Sequence, residues 1–247
     1  MATVNISGVT FTNIQGIIFD KDGTLQDSHS FLRELAHKRA RLIDAQIPGI
    51  GEPLLMAFGM QDGKLDTTGL MAVGSHQENE IAAAAYIAET GRSWFESLEI
   101  AQIAFKEAES YLQRDSQTSP MFPGTLKVIK SLADAGLQLG ILSADSTAGV
   151  KDFVASNQLE DYIKLCMGVD SAGLTKPNPA LFSQACETLG LEPATTLMVG
   201  DSVGDIKMAK DADAAGAIGI CWGNNLAPHL KIADLTISNL NEIKIAS

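Results

Sequence analysis

The sequence predicts an α/β protein: a doubly wound parallel sheet with an all-helical domain inserted after its first strand. Three observations predict it. Short apolar runs of strand length recur in two separated parts of the chain, amphipathic stretches of helical period lie between most of them, and strand signals vanish from about Ser28 to Gln117. Strand–helix alternation of this kind builds a parallel sheet with helices on its faces. In such sheets a ligand sits beyond the carboxyl ends of the strands. The expected division is 1–27 with 116–247 for the sheet domain and 28–115 for the insertion. Asp115–Pro123, polar and proline-bearing, forms the second junction.

The elements follow in order. Gly16–Phe19 is a buried strand running straight into Asp20-Lys21-Asp22-Gly23-Thr24-Leu25. Phe31–Ala45 carries Leu32, Leu35, Ala36, Leu42 and Ile43 at helical spacing, and Glu78–Glu89 and Trp94–Gln113 are further helices. Pro48 to Ser75 is a glycine-rich polar loop region. Thr125–Ala135 presents Leu126, Ile129 and Leu132 on one face and ends at Gly136. Strands follow at Leu137–Leu142, Ile163–Val169, Thr196–Val199, Ala217–Cys221 and Leu235–Ile237. Asn178 caps a helix with Pro179 at its first position, running to Leu189, and Asp205–Asp213 is another short helix.

Bulk properties narrow the partners. The 247 residues include 30 acidic and 18 basic ones, a net charge of −12, which argues against nucleic acid or an anionic membrane as the main partner. Three scattered cysteines without a CxxC read as reduced thiols of a cytoplasmic protein. The first residues lack the basic and apolar regions of a signal peptide, and no apolar run reaches membrane-spanning length.

Chemistry-bearing residues stand at strand exits. Asp20 and Asp22 are two carboxylates at i and i+2, which need a cation or a shared proton to coexist. Extended-chain alternation puts them on one side and turns Lys21 away from the reaction. Ser143, followed by Ala144, offers a hydroxyl and backbone N–H groups to phosphate. Lys176 lies in a proline-stiffened loop, where an ammonium can neutralise a phosphate oxygen and a carboxylate. Asp201 and Asp205 follow the strand Thr196–Val199.

At these residues the chain resembles the haloacid dehalogenase superfamily of aspartate-nucleophile phosphotransferases. Phe19-Asp20-Lys21-Asp22-Gly23-Thr24-Leu25, Ser143, Lys176-Pro177 and Gly200-Asp201-Ser202-Val203-Gly204-Asp205 follow in that family's order. The resemblance covers nearly the whole chain. It implies a Rossmann-like core with a helical cap after the first motif, as in phosphoglycolate-phosphatase-like members. It implies Asp20 as nucleophile and Asp22 as acid and base. Mg²⁺ would be held by the carboxylates of Asp20 and Asp201 and the backbone carbonyl of Asp22. Asp205 would orient a metal-bound water or Lys176. Ser143, the Ala144 backbone and Lys176 would hold phosphate, and Thr24 would support the loop or touch phosphate. Many relatives have Asn where this chain has Ala144, which keeps the backbone donor and removes a side-chain contact.

The function expected is Mg²⁺-dependent hydrolysis of a small phosphorylated metabolite, of phosphoglycolate or sugar phosphate type, with the cap closing over the site. A phosphomutase using the same aspartyl-phosphate is the alternative, because the motifs do not separate the two. A non-catalytic Mg²⁺-binding regulatory protein is a third reading, opposed by the cost of keeping so many charges clustered without a ligand. Monomer and homodimer both stay open. A calcium loop is excluded, since Leu25 and Phe31 stand where an EF-hand needs Gly and Glu. In the insertion, His29, Arg33, Lys64 and His76 are candidates to face substrate. His37, Lys38, Arg39 and Arg41 read as a solvated helix face, the cluster Met56, Phe58, Met60 and Met71 as packing, and Trp94 and Phe95 as core.

Overall fold

The computed structural model describes residues 1–112, 114–115, 117–169, 173–223 and 227–246. The chain forms two compact units, Met1–Asp27 with Met121–Ser247, and Ser28–Pro120. Two expected boundary residues, Gln113 and Ser116, lie outside the described residues.

The first unit opens with β1 (Ala2–Ile6), β2 (Val9–Ile14) and β3 (Gly16–Phe19). The second unit holds α1 (His29–Gln46), α2 (Gly51–Ala57), β4 (Met60–Gln61), β5 (Lys64–Leu65), α3 (Leu70–Val73), α4 (His76–Glu89) and α5 (Trp94–Tyr111). The chain then returns to the first unit with α6 (Thr125–Asp134), β6 (Gln138–Leu142), α7 (Thr147–Ser156), β7 (Ile163–Met167), α8 (Pro179–Thr188), β8 (Thr196–Gly200) and α9 (Val203–Asp211). It ends with β9 (Gly216–Ile220), β10 (Leu235–Ile237) and β11 (Ile243–Ile245).

Six strands form one parallel sheet in the order β10-β9-β8-β3-β6-β7. Strand β3 is buried at every position because both sheet faces are covered. Ile17 and Phe19 pack with Leu139, Ile141, Leu197 and Val199 on one face, while Ile18 packs with Met198 and Phe182 on the other. After β3 the sheet grows outward through β6 and β7, then resumes on the opposite side of β3 with β8 and β9. This is a topological switch point. Phe19 is in register with Ile141 of β6 and Val199 of β8, so the carboxyl ends of these three strands lie side by side.

A second sheet, β11-β1-β2, is antiparallel and was not foreseen. Its hairpin turns on Ser7 and Gly8, both at positive φ, as a two-residue β-turn requires. Strand β2 is mostly exposed, so no apolar run advertised it.

The helical unit departs from expectation at five places. It is not all-helical, because β4 and β5 pair around Asp62-Gly63, at φ 49° and 70°. The Pro48–Ser75 stretch also carries the short helices α2 and α3. Arg39 is buried rather than solvated: its guanidinium stacks 4.0 Å over the Phe105 ring and lies 2.8 Å from Glu109. Trp94 and Phe95 are exposed rather than core, because the stripe that α5 buries begins a turn later, at Ser97. Phe58, Met60 and Met71 are buried as expected, whereas Met56 is exposed. Helix α4 starts at a capping box, with Ser75 and Glu78 satisfying each other's backbone N–H groups.

Candidate active site

The loops after β3, β6 and β8 meet at the switch point with the loop before α8 that carries Lys176. The ladder of β3 continues one bond further, with the Asp20 N–H donating to Val199 O at 2.9 Å. Extended structure then stops. The Lys21 carbonyl accepts from the N–H groups of Leu25 (2.9 Å) and Gln26 (3.0 Å), folding residues 20–26 into a tight loop. Gly23 is required in it: φ is +82°, and a Cβ there would run into the Asp201 carboxylate. Further along, the Trp222 indole N–H donates to Thr24 O at 3.1 Å, and that ring stacks on Phe122, which itself donates to Leu25 O.

After β8, Ser202 caps α9 and Asp205 is its capping-box partner. The Ser202 hydroxyl donates to Asp205 Oδ2 at 2.6 Å, while Asp205 Oδ1 lies 2.6 Å from Lys176 Nζ. Asp205 therefore serves both the helix end and the site. A Cβ at Gly200 would strike this carboxylate, so the strand end must be glycine. Lys176 is nearly fully buried and its Nζ also lies 2.6 Å from Asp20 Oδ1. The Thr24 hydroxyl donates to Asp201 Oδ1 at 3.3 Å, and the His229 Nε2 lies 3.1 Å from the Asp201 carbonyl oxygen. Thr24 thus braces Asp201.

Carboxylate oxygens of Asp20, Asp201 and Asp205 all lie within 4.8 Å of one another. Burial, opposed by Lys176 and reinforced by Asp205, raises the Asp20 carboxyl to about 6. Burial and then the charges of Asp20 and Asp205 hold Asp201 well above the usual carboxylate range. Burial works against the Lys176 ammonium, but Asp20 and Asp205 outweigh it and keep the group protonated. Three acids facing one lysine are short of positive charge, and a divalent cation with oxygen ligands fits that deficit.

Ser143 is buried at the end of β6, with its N–H on Met167 O at 3.0 Å and its hydroxyl accepting from the Asp145 N–H at 3.2 Å. Ala144 lies between them. Asp22 and Lys21 show where alternation fails. Because the strand ends at Phe19, Lys21 does not turn away from the chemistry. Its fully buried ammonium lies 2.8 Å from Asp22 Oδ2 and 2.8 Å from Asp145 Oδ2. Lys21 and Asp145 are the site residues that sequence reading missed. The available signal was a lysine within an otherwise buried motif, which demands acidic partners.

Comparison with known proteins bears on the family. A family model described as haloacid dehalogenase-like hydrolase matches residues 14–213. The chain is 31% identical over 233 residues to a protein named probable phosphatase IndB of Dickeya dadantii (strain 3937), covering 88% of this chain and 86% of that one. It is 29% identical over 221 residues to a phosphoglycolate phosphatase of Yersinia pestis, covering 88% and 85%. A crystal structure titled as a predicted phosphoglycolate phosphatase from Haemophilus somnus 129PT shares the fold, with a TM-score of 0.64 at 20% identity over 93% of this chain and 96% of that one. No helix among the described residues is long and apolar enough to cross a membrane. With an acid cluster at the switch point of a parallel sheet and a family match over most of its length, the chain belongs to the haloacid dehalogenase-like hydrolases and is an enzyme of their phosphatase type.

Proposed function

We propose that this protein hydrolyses a small phosphate monoester through an aspartyl-phosphate on Asp20, with Mg²⁺ as cofactor. The observation that carries the reading is the Asp20 carboxylate, held by Lys176 at 2.6 Å within a cluster of three acids. One Asp20 oxygen attacks phosphorus as the ester P–O bond breaks, and Asp22 gives its proton to the departing alkoxide. Water then attacks the aspartyl-phosphate, Asp22 takes its proton, and phosphate leaves. Lys176 and the Ser143 hydroxyl, with the Ala144 backbone N–H, hold the non-bridging oxygens, where charge must be met by fixed donors. Asp20 and Asp201, with the Asp22 carbonyl, are the oxygen ligands for Mg²⁺, and Asp205 keeps Lys176 in place. When bound, the metal supplies charge neutralisation for the phosphoryl group. The Yersinia pestis relative is named for phosphoglycolate, which supports a small organic phosphate as substrate.

The test is release of phosphate from p-nitrophenyl phosphate and a panel of phosphorylated metabolites, with Mg²⁺. Asp20→Asn is expected to lose at least about 10⁴-fold in kcat. Unchanged turnover in that variant would sink the nucleophile assignment, and isomerised sugar phosphate in place of free phosphate would convert the reading to a mutase.

A further inference from the structure

Lys21 is buried inside the first motif, and the mechanism above gives it no task. We propose that Lys21 is a positioning residue: its ammonium clamps the Asp22 carboxyl in the orientation needed to protonate the leaving group, with Asp145 as the anchor of the clamp. The proposal rests on the phosphatase reading of this site.

The geometry supports a clamp rather than a general structural charge. Lys21 Nζ is 2.8 Å from Asp22 Oδ2 and 2.8 Å from Asp145 Oδ2. The anchor is itself fixed at three points. Asp145 Oδ1 accepts from the Ser146 N–H at 2.7 Å, its N–H donates to the Ser143 hydroxyl at 3.2 Å, and its carbonyl accepts from Val169 N–H at 2.9 Å. The loop after β6 therefore holds one partner of the Lys21 ammonium in place, and that ammonium in turn holds Asp22 Oδ2. Asp22 is on the short loop that follows β3. In the first step the Asp20 O–P bond forms, the ester P–O bond breaks, and the proton of the Asp22 carboxyl passes to the ester oxygen. Lys21 neither gains nor loses a proton. A misplacement of about 1 Å in such a group is enough to cost about 100-fold in rate.

The experiment compares kcat/KM for phenyl phosphate and p-nitrophenyl phosphate, because this constant reads the phosphoryl-transfer step and not the later hydrolysis. Phenolate, with a pKa of about 10 like tyrosine, needs protonation as it leaves, whereas nitrophenolate departs readily without it. Lys21→Met should lower kcat/KM for phenyl phosphate by about 100-fold and for p-nitrophenyl phosphate by no more than about 3-fold. Lys21→Arg, which keeps the cation, should restore most of the lost phenyl phosphate activity. Asp145→Asn should show the same selective loss, at about 10-fold. Equal losses on both esters, or none, would overturn the proposal while leaving the phosphatase reading intact. Should circular dichroism show Lys21→Met unfolded, Asp145→Asn, whose side chain is partly exposed, decides by the same ratio. Wild-type protein inactive on both esters would overturn the phosphatase reading first.

Discussion

In the sheet unit, buried Lys176 stands 2.6 Å from Asp20 and 2.6 Å from Asp205, with Asp201 beside them. In the helical unit, buried Arg39 lies 2.8 Å from Glu109, and His76 completes the group at 3.2 Å from Glu109 and 2.9 Å from Glu80. Both clusters bury a cation against acids, yet only the second is matched in charge among the described residues. Donating a hydrogen bond to the Glu109 carboxylate raises the His76 imidazole above its ordinary value, and His76 and Arg39 in turn hold Glu109 below its own despite its burial. In the sheet unit burial and mutual repulsion push Asp20 and Asp201 the opposite way. The contrast separates two uses of buried charge. A matched cluster stabilises its own unit, whereas one that is short of cations stores a deficit that a metal and a phosphoryl group fill.

Removing the cation from each cluster breaks the comparison most directly. Lys176→Met should cost about 10³-fold in kcat, measured with Mg²⁺ and p-nitrophenyl phosphate. Arg39→Met should leave the rate within about 3-fold and lower stability by about 1 kcal/mol in urea titrations, because it takes a buried guanidinium from the Phe105 ring and from half-exposed Glu109, which keeps His76. A rate loss on Arg39→Met comparable to that of Lys176→Met would erase the distinction.

Filling the deficit comes next in size. Mg²⁺ at about 100 times its dissociation constant should stabilise the protein by about 2.7 kcal/mol, read as a rise in Tm. The effect should be pH-dependent with a defined sign. The Asp20 carboxyl rises from 3.8 to about 6 on folding, so the metal-free fold binds that proton more tightly than the unfolded chain does. Metal-free stability is thus retained at low pH and lost as pH climbs through about 6, and the Mg²⁺-induced rise should be largest above that value. Asp201→Asn should stabilise the metal-free protein by about 1 kcal/mol and abolish most of the Mg²⁺ response. A destabilised Asp201→Asn protein would contradict the repulsion argument.

The smallest effect belongs to the matched cluster. Because the folded His76 is raised above its ordinary 6.5, its contribution is fully present below that pH and is lost as pH rises through the higher folded value. The ring is half-exposed, so solvent screening limits the change to under about 1 kcal/mol. Urea titrations should show a slight fall in stability as pH rises above 6.5 in wild type and a smaller one in His76→Gln.

Much of this was legible before any coordinates. The apolar runs of β3, β6 and β8 end at Asp20, Ser143 and Asp201, and an apolar run bounded by turn residues is a local signal that survives folding. The Asn178 cap was equally local, whereas the Ser202 cap, which starts α9 at Val203 rather than at Asp205, went unread. Surface strands such as β2, with little burial, left no such trace. The Asp62-Gly63 hairpin did leave one, in its turn residues, and it went unread.

By itself the chain determined the strand ends, the order of the chemical groups along them, and the excess of acid. Only the tertiary structure decided which charges are buried and what they face. Lys21 meets Asp145 across 124 positions of sequence and Arg39 meets Glu109 across 70, so neither pairing has a local signature. The reason is physical: backbone preference depends on neighbours along the chain, whereas the fate of a charge depends on the groups that folding brings within a few ångströms of it.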